Sequence, residues 1–597
     1  MSNAVVFKNR IYFAKTTPSV SGTELWATDG IDSTSAFMIK DIESGSGSGY
    51  PKCISVVNDF LLVSATTTST GQELWRCDGT SDGTELIKDL YPGFYGEAFN
   101  LRVINGKMIF DSQFANEYKY TSNGTPEGTY PLAFSSVGNN FHPAYGNPVL
   151  NGFVYFSGKA LADSGNADFE LWRTDGTPSG TTRVKDIAPG LGSSIPKYAV
   201  GIGNKLYFNA APDALSNSEP WVTDGTEAGT KKLAEINPGS ASSNPMYFTE
   251  CNGKVFFAAQ STNPVSYNQL WVTDGTPAGT KLVKNFGGYD NIWQLRDLKG
   301  TLIFRLGGYL YRSDGTEAGT IKIKPSSQGY VSAGTFPGFG EYDCDGKYYY
   351  FRGVDNNIPM IYITDGTDAG TVRLPIDSPP SNIISVGNIR YVNGKIFFNL
   401  VFNDGSNYQE WTYCTDGTQT GTKRLFQPSF GRIQGGTIIG NNGKEIFFNT
   451  SDYLTPMDHS IVISDGTPQG TKLYSVDDPE ELQRAASIVE LNGLLYGTIF
   501  DQMRGSALYL LERGDVSIRM YSVKQNALKI YPNPSNDIIE LDIATDTQVD
   551  IYDMTGKKHV SLKYNGSIDI AELAAGSYQV IALSGKEAFT AKLMKTN

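Results

Sequence analysis

The fold of this chain is decided by one short stretch of sequence, Trp271-Val-Thr-Asp-Gly-Thr-Pro-Ala-Gly-Thr280, which runs on into Lys281-Leu-Val-Lys-Asn-Phe286. The apolar and β-branched residues on both sides of the turn Asp-Gly-Thr-x-x-Gly-Thr are typical of strands. The Asp carboxylate can accept backbone N–H bonds across its own turn, and glycine adopts φ values that other residues avoid. The stretch therefore predicts two strands joined by a tight, Asp-capped turn.

The same stretch recurs along the chain. Its first glycine stands at positions 30, 79, 124, 176, 225, 275, 315, 366, 417 and 466, with a degenerate copy at 514, so neighbouring copies are 40 to 52 residues apart. The clearest copies carry Trp26, Trp75, Trp172, Trp221 and Trp271, followed by Asp29, Asp78, Asp175, Asp224 and Asp274. Because these residues recur from unit to unit, we predict structural roles for them: packing between repeats for the tryptophans and turn capping for the aspartates.

A second landmark precedes each aromatic strand, as in Asn105-Gly-Lys-Met-Ile-Phe110 and Asn393-Gly-Lys-Ile-Phe-Phe398. Asn-Gly between two β-prone segments predicts a hairpin with a type I′ turn, which needs positive φ at both central residues. Each unit then contains four antiparallel strands. Four strands in a unit of this length are typical of a β-propeller blade.

We therefore predict an all-β fold: a multi-bladed β-propeller of four-stranded antiparallel repeats over residues 1–523, followed by a small Ig-like β-sandwich over residues 524–597. About eleven units fit between residues 4 and 523. Propellers usually have about four to eight blades, so one unusually large ring and two rings in tandem both stay open. The 65 glycines and 19% charged residues suit short strands separated by tight turns.

Four segments interrupt the repeat, and a site outside the repeat pattern would be sought there. The first contains His142, which we interpret as a hydrogen-bonded loop residue rather than a catalytic group. The last is predicted to contain a short helix. The segments are Ser135 to Gly146, Leu161 to Asp168, Pro325 to Tyr342 and Asp477 to Ala486.

Composition disfavours several classes of partner and site. A net charge of −13 without a block of Lys and Arg argues against nucleic acid. No run of about 18 apolar residues occurs, so we expect no membrane-spanning helix. The five cysteines include no CxxC pair and are predicted to be buried free thiols. The motif aspartates are an alternative calcium site, but one Asp per turn offers too few ligands, so we expect no metal and no cofactor.

Units such as Glu24-Leu-Trp-Ala-Thr-Asp-Gly30 resemble the ELWxxDGT repeat family of large secreted and surface bacterial proteins. The resemblance covers roughly residues 1–520. It implies a secreted, propeller-like protein and says nothing about its activity.

After about Asn526 the repeat ends, and a different pattern begins. Alternating apolar residues, separated by turns about every 8 to 12 residues, predict a small β-sandwich. A sandwich has its own core, so we expect few contacts across the boundary and little change in the Tm of the propeller when the module is removed.

The order of its pieces resembles the type A C-terminal sorting domain of the type IX secretion system in Bacteroidetes. That resemblance implies passage through the outer-membrane translocon and handling by its shuttle and sortase components, which leave the protein secreted or on the outer-membrane surface. The N-terminus lacks an export signal, so we expect that the signal was removed or lies upstream. The matching residues are Tyr531, Pro532, Asn533, Pro534, Asp553, Gly556, Lys557, Gly576, Tyr578 and Lys592.

Two functions fit this sequence. The first is a secreted or cell-surface binding or adhesion propeller with an extracellular glycan or protein ligand and no catalytic residues. The alternative is a propeller enzyme acting on extracellular polysaccharide, in which acidic and aromatic residues from different blades converge on a pocket. No Gly-x-Ser-x-Gly elbow, zinc-protease helix or phosphate loop occurs, so a non-enzymatic role is expected.

Overall fold

The computed structural model is built from strands, with no helix in the part of the chain that it describes. No helical segment there has the length and hydropathy of a membrane span. The structure describes residues 4–596 except 18–20, 30–35, 91, 93–95, 97, 113–117, 136–146, 162–167, 191, 213–216, 263–264, 289, 308, 324–341, 356–357, 404, 406–407, 427–432, 442–443, 453–458, 475–481, 492–493, 502–504, 512–519, 524–527, 554–557 and 585–586.

The strands, in chain order, are β1 Val5–Phe7, β2 Arg10–Thr17, β3 Gly22–Thr28, β4 Phe37–Lys40, β5 Lys52–Val57, β6 Phe60–Thr67, β7 Gly71–Cys77, β8 Glu85–Lys88, β9 Ala98–Ile104, β10 Lys107–Ser112, β11 Tyr118–Ser122, β12 Tyr130–Ser135, β13 Val149–Leu150, β14 Phe153–Lys159, β15 Glu170–Thr174, β16 Thr182–Lys185, β17 Lys197–Ile202, β18 Lys205–Ala210, β19 Glu219–Thr223, β20 Lys231–Lys232, β21 Met246–Cys251, β22 Lys254–Thr262, β23 Val265–Thr273, β24 Lys281–Asn285, β25 Ile292–Leu298 and β26 Thr301–Leu306. They continue with β27 Tyr309–Ser313, β28 Ile321–Lys322, β29 Tyr342–Cys344, β30 Tyr349–Asp355, β31 Ile358–Thr364, β32 Val372–Arg373, β33 Ile383–Val392, β34 Lys395–Asn403, β35 Tyr408–Thr415, β36 Lys423–Phe426, β37 Ile433–Asn441, β38 Ile446–Asp452, β39 His459–Ser464, β40 Lys472–Tyr474, β41 Leu482–Leu491, β42 Leu494–Asp501, β43 Gly505–Leu511, β44 Met520–Val523, β45 Ile530–Tyr531, β46 Ile538–Leu541, β47 Gln548–Asp553, β48 Lys558–Lys563, β49 Ile568–Asp569, β50 Gly576–Ser584 and β51 Glu587–Lys595.

The chain forms two compact units. Unit 1 comprises Met1–Phe94, Asn403–Cys414 and Lys423–Asn597, and unit 2 comprises Tyr95–Phe402 and Thr415–Thr422. Unit 1 contains the sheets β1–β4, β5–β8, β37–β40 and β41–β44, and unit 2 contains β17–β20, β21–β24, β25–β28 and β29–β32. In each sheet the four strands pair in sequence order and antiparallel, as the blades of a propeller do. The predicted all-β propeller class is confirmed.

The first two strands of several sheets are joined by the predicted Asn-Gly turns. Their central residues both have positive φ, with 48° and 69° at Asn105 and Gly106 and 51° and 79° at Asn393 and Gly394. Asparagine, with its short polar side chain, and glycine, which has no side chain, are the residues that tolerate this conformation. The type I′ prediction is confirmed.

Neighbouring sheets bury their apolar faces against each other. Tyr207 and Val222 of the sheet β17–β20 share one cluster with Val255 and Phe257 of the next sheet. Both faces of a strand are therefore covered, which explains its consecutive apolar residues. Trp26, Trp75 and Trp221 are buried, and Trp172 and Trp271 are half-buried.

One sheet departs from the repeat pattern. Strand β13 has only two residues, and β12, the fourth strand of one repeat, pairs with β14 of the next, with Ser135 opposite Gly158. A Cβ at Gly158 would lie 2.7 Å from the carbonyl oxygen of Phe134, so the close approach requires glycine. Strands β9–β16 thus form a single larger sheet.

In unit 1 the first sheet of the chain lies against the last sheet of the repeat region. Strand β2 packs on β43, and Phe13 and Trp26 share a cluster with Tyr496 and Leu508. Sheets from opposite ends of the repeat region are therefore neighbours.

The short helix predicted within Asp477 to Ala486 is wrong where the structure describes the segment. Residues 482–486 begin β41, which pairs along its length with β42. The ladder satisfies the backbone N–H and C=O groups that a helix would have satisfied internally. Residues 477–481 lie outside the described residues.

The cysteine prediction is only partly confirmed. Cys77, Cys251 and Cys414 are buried free thiols, whereas the free thiol of Cys344 is half-buried. The side chain of Cys53 lies outside what the structure describes.

The C-terminal module has two sheets around its own core. Strands β45, β46 and β49 form one sheet, and β47, β48, β50 and β51 belong to the other. Apolar side chains of both sheets, among them Ile539, Ile568, Val549 and Val580, pack in one cluster. The module therefore has the separate core that the sequence predicts.

The expectation of few contacts across the boundary is wrong. Strand β51 pairs in parallel with β44, the last strand of the repeat region, and Ile581 and Leu583 join the cluster of Trp26 and Leu508. Successive residues of a strand point to opposite faces, so Val580 and Ala582 fill the module's own core while Ile581 and Leu583 face away from it. The expectation considered only the face of β50 that fills the module's own core and not the face that packs on the repeat region.

Candidate functional site

The two ends of each repeat sheet differ. Because an antiparallel meander alternates its connections, the Asn-Gly and Asp-Gly-Thr turns lie together at one end, which we call the turn end. The other end, the loop end, carries the loop between the second and third strands and the loop that leads to the next sheet. The strands on either side of each of the four interruptions end at the loop end. Residues 136–146 with His142, 162–167, 325–341 and 477–481 of these interruptions lie outside the described residues.

At the turn end, the motif aspartates cap their own turns. Asp274 Oδ1 accepts hydrogen bonds from the backbone N–H and the hydroxyl of Thr276, at 2.8 and 2.7 Å. The Thr276 hydroxyl bond is the main reason that the pKa of Asp274 lies below its usual value. The turn following Asp29 lies outside the described residues. The same pair of bonds occurs at Asp78, Asp175 and Asp224.

The motif glycine of one repeat packs against the preceding sheet. Gly275 has a φ of +85°, and a Cβ there would lie 2.7 Å from the hydroxyl oxygen of Tyr207. A cationic side chain of the preceding repeat also donates to the glycine carbonyl, as Arg173 Nη1 does to Gly225 at 2.8 Å. At the turn end, consecutive sheets are therefore held together by the same contacts in several repeats. The same contact joins Lys107 to Gly176, Lys205 to Gly275 and Arg312 to Gly366.

At the loop end, the glutamate two positions before a motif tryptophan is buried. Glu170 Oε2 accepts hydrogen bonds from the Ile187 N–H at 2.9 Å and the Ser194 hydroxyl at 2.6 Å. Its Oε1 accepts from the N–H groups of Ala188 at 3.1 Å and Ser194 at 3.2 Å. Burial still raises the pKa of Glu170 above its usual value. This carboxylate ties the third strand to the loop that leads to the next sheet.

The same arrangement recurs in other repeats. Glu219 accepts bonds from the N–H groups of Ile236 and Asn237 and from the hydroxyl of Ser243. Glu24 accepts the N–H groups of two residues in its loop, and burial raises its pKa to about 7. Sequence reasoning missed this role. The available signal was a glutamate at 24, 73, 170 and 219, replaced by glutamine at 269, always two positions before the tryptophan.

The loops held by these carboxylates contain left-handed residues directly before proline. Tyr50 has a φ of 44° before Pro51, and Ile195 has a φ of 41° before Pro196. Their N–H groups donate to the carbonyls of Thr23 and Phe169, at 3.1 Å in both cases. Tyr50 is 67% exposed and Ile195 is 37% exposed. The loop end therefore presents apolar side chains on a hydrogen-bonded backbone.

One group of acidic side chains among the described residues has metal-ligand spacing. One carboxylate oxygen from each of Asp168, Glu170 and Asp186 lies within 4.8 Å of the others. However, Arg183 Nη1 lies 3.4 Å from Asp168 and 3.3 Å from Asp186, and Glu170 already accepts four hydrogen bonds. The guanidinium offsets the repulsion between the two half-buried aspartates, so the cluster does not need a cation to hold it together.

A buried ion pair replaces an apolar pair in the sheet β9–β16. Lys119 Nζ lies 2.5 Å from Asp111 Oδ1, and both side chains are buried. Two other repeats have an alanine opposite a leucine at these positions, with Ala14 opposite Leu25 and Ala258 opposite Leu270. The Lys119 ammonium also lies 5.0 Å from the ring centroid of Phe156, and burial lowers its pKa.

The sorting-motif residues lie in several parts of the C-terminal module. Asn533 Oδ1 accepts the Met594 N–H at 2.9 Å, and the buried Tyr578 donates its hydroxyl to the Ala574 carbonyl at 2.8 Å. Tyr531 is exposed. Gly556 and Lys557 lie outside the described residues. Pro532 and Pro534 follow cis peptide bonds, Asp553 ends β47, Gly576 begins β50, and Lys592 lies on β51 opposite Gln579.

Comparison with known protein families identifies what the C-terminal module resembles. Residues 529–596 match a family model described as the secretion system C-terminal sorting domain. The match supports export by the type IX secretion system and interaction with its machinery. The protein is secreted or displayed on the cell surface.

Comparisons of the whole chain add little to this. No curated protein matches it in sequence. The extracellular domain of a one-component system from B. thetaiotaomicron matches with a TM-score of 0.25 and 11% identity over 92% of this chain and 98% of that one. Puromycin hydrolase matches with a TM-score of 0.29 and 13% identity over 73% and 61%, and BamB from Moraxella catarrhalis with 0.26 and 12% over 59% and 93%. TM-scores of this size carry no information about ligand or activity.

Proposed function

We propose that this protein is a binding or adhesion propeller that the type IX system delivers to the cell surface or the medium. The proposal places the propeller in residues 1–523 and the sorting module in residues 524–597. The observation that carries the proposal is the set of hydrogen bonds made by the buried glutamates of the repeats. Glu170 and Glu219 are occupied by backbone N–H and hydroxyl donors of a neighbouring loop, so they support the loop end rather than offer a general acid or base.

Binding and hydrolysis can be separated with the purified full chain. We expect retention on arrays of extracellular glycans or matrix proteins, and no release of reducing sugar from the same glycans over a day. Release that scales with protein concentration would favour the alternative, an enzyme acting on polysaccharide. Retention on none of the arrays would contradict the binding function.

The sorting role is tested separately, in a host that has a type IX system. A chain lacking residues 524–597 should accumulate in the periplasm, and the same residues with an export signal should carry a fluorescent protein across the outer membrane. The fusion is needed because removal of the module also uncovers Trp26 and Leu508, which lowers the Tm and could by itself prevent export. Normal secretion of the truncated chain would contradict the sorting role.

A further inference from the structure

The first strands of consecutive repeat sheets lie side by side in unit 2. Strand β21 packs against β17 on one side and against β25 on the other. All three carry a β-bulge at the same place, where the pairing with the second strand shifts between Lys197 and Val200, Met246 and Thr249, and Trp293 and Arg296. Bulges re-aim side chains and are common beside functional sites.

The bulges of these three sheets hold residues that are poorly suited to them. Tyr198, Tyr247 and Gln294 have φ values of 53°, 62° and 60°, the left-handed region that favours glycine and asparagine. In β33 the equivalent bulge has an asparagine, Asn388, with a φ of 53°. Asparagine adopts this backbone conformation with less strain, so a tyrosine or glutamine at the same place points to a role for its side chain.

The bulges expose an aromatic pair at the loop-end half of these strands. Trp293 is 38% exposed, and its ring centroid lies 5.7 Å from that of the half-buried Tyr247, with 51° between the planes. Further along the same strands, Glu250, Arg296 and Asp297 are exposed. Asp297 Oδ1 already accepts hydrogen bonds from the Cys251 thiol and the Gly300 N–H, whereas Glu250 and Arg296 lie about 10 Å along the strands from the rings. An aromatic pair with polar groups at that distance suits an extended ligand that has both apolar ring faces and hydroxyl groups.

We propose that Tyr247 and Trp293 form the binding platform for a neutral sugar chain. This inference rests on the proposed binding function and names its ligand class. A sugar ring offers the C–H groups of its face to the aromatic rings, and a chain of such rings brings further hydroxyl groups within reach of the exposed Glu250 and Arg296 along the same strands. The net charge of −13 disfavours acidic polymers, which selects neutral glycans among the extracellular polysaccharides.

The test uses the full chain in native affinity gels that contain a soluble glucan, xylan, mannan or galactan, with alginate as the acidic polymer. We expect at least one neutral polymer to retard the protein, and Trp293→Ala to weaken that binding about tenfold or more. The matched control is Tyr391→Ala, which removes another exposed aromatic ring of a first strand, 42% exposed, next to an Asn-Gly turn. It should change the affinity less than about twofold.

A second variant separates binding from folding. Tyr247→Asn relieves the left-handed backbone but also removes the contacts of the ring with the buried cluster around Leu270 and Leu295, so we expect the Tm to stay close to that of the parent protein. The retardation should nevertheless weaken, a combination that a purely structural role does not produce. Equal retardation of Trp293→Ala and the parent protein would overturn the platform and leave the binding function intact. Stronger retardation by alginate than by every neutral polymer would overturn the ligand class. Retention on protein arrays without retardation by any neutral polymer would overturn the inference alone, and failure of both assays would also remove the proposed function.

Discussion

Asp175 and Glu170 lie at opposite ends of the same repeat sheet and use their carboxylates differently. Asp175 is bonded to Thr177 in its own turn at the turn end, whereas Glu170 is fully buried at the loop end and bonded to residues 17 to 24 positions away. A hydrogen bond within a half-buried turn contributes only about 1 kcal/mol net, whereas the loss of a fully buried acceptor leaves several donors without partners. We therefore expect the contribution of each carboxylate to stability to depend on its burial and on how far along the chain its hydrogen-bond partners lie, rather than on its charge.

The strongest test of this view is the buried ion pair of Asp111 and Lys119, which lies one position further into its sheet than the glutamate position of the loop end. Lys119→Ala leaves the Asp111 carboxylate buried without its cation, and we expect the free energy of unfolding to fall by about 4 kcal/mol. Chemical denaturation of the full chain measures this. The double variant Asp111→Ala with Lys119→Leu, which copies the pair Ala258 and Leu270, should recover most of the loss. A double variant no more stable than Lys119→Ala would show that the site needs the ion pair itself.

Glu170→Ala should have the next largest effect. It removes the acceptor of four buried hydrogen bonds, so we expect a loss of about 3 kcal/mol in denaturant melts. The loop from Ile187 to Ser194 should also exchange its amide hydrogens faster, because it loses its attachment to the strand. Unchanged exchange in that loop would contradict the structural role of the carboxylate.

The two ends should respond to pH in opposite directions. Burial raises the pKa of Glu24 from 4.5 to about 7 in the folded protein, whereas the hydroxyl of Thr80 lowers the pKa of Asp78 from 3.8. The stabilising contribution of Glu24 is thus complete below pH 4.5 and is lost as the pH rises through about 7. The contribution of Asp78 is present above pH 3.8 and is lost as the pH falls through its lower folded-state pKa.

Melts between pH 5 and 7.5 should therefore show the free energy of unfolding falling by about 2 kcal/mol through Glu24. Glu24→Gln, which copies the natural Gln269, should flatten this part of the profile. A parent profile that rises over the same interval would contradict the assignment.

The smallest effect is expected at the turn end. Asp175→Ala removes a half-buried cap whose partners lie within its own turn, and we expect a loss of about 1 kcal/mol, roughly what other capping side chains contribute. Asp175→Asn keeps the acceptor and should lie close to the parent protein. A loss at Asp175 as large as that at Glu170 would remove the distinction between the two ends.

Sequence reasoning predicted the turn end well and the loop end poorly. The Asn-Gly turns and the four-strand units were readable because each is encoded within a few neighbouring residues. The glutamates recur in fewer repeats than the aspartates, and the donors of Glu24 and Glu170 lie far along the chain in loops of variable sequence. The sorting module shows the same limit, since the covered outer face of β50 was not foreseen.

The sequence by itself determined the repeat, its turns, the all-β class and the signature that sends the protein out of the cell. Preferences for φ and hydrogen bonds within a turn act between residues that stay close whatever the rest of the chain does. Only the tertiary structure decided that Glu170 meets Ser194, that Tyr247 meets Trp293, and that Trp26 meets Leu508 and Ile581. Those contacts depend on how completed sheets stack, and the free energy of stacking comes from burying faces that form only after the strands have paired.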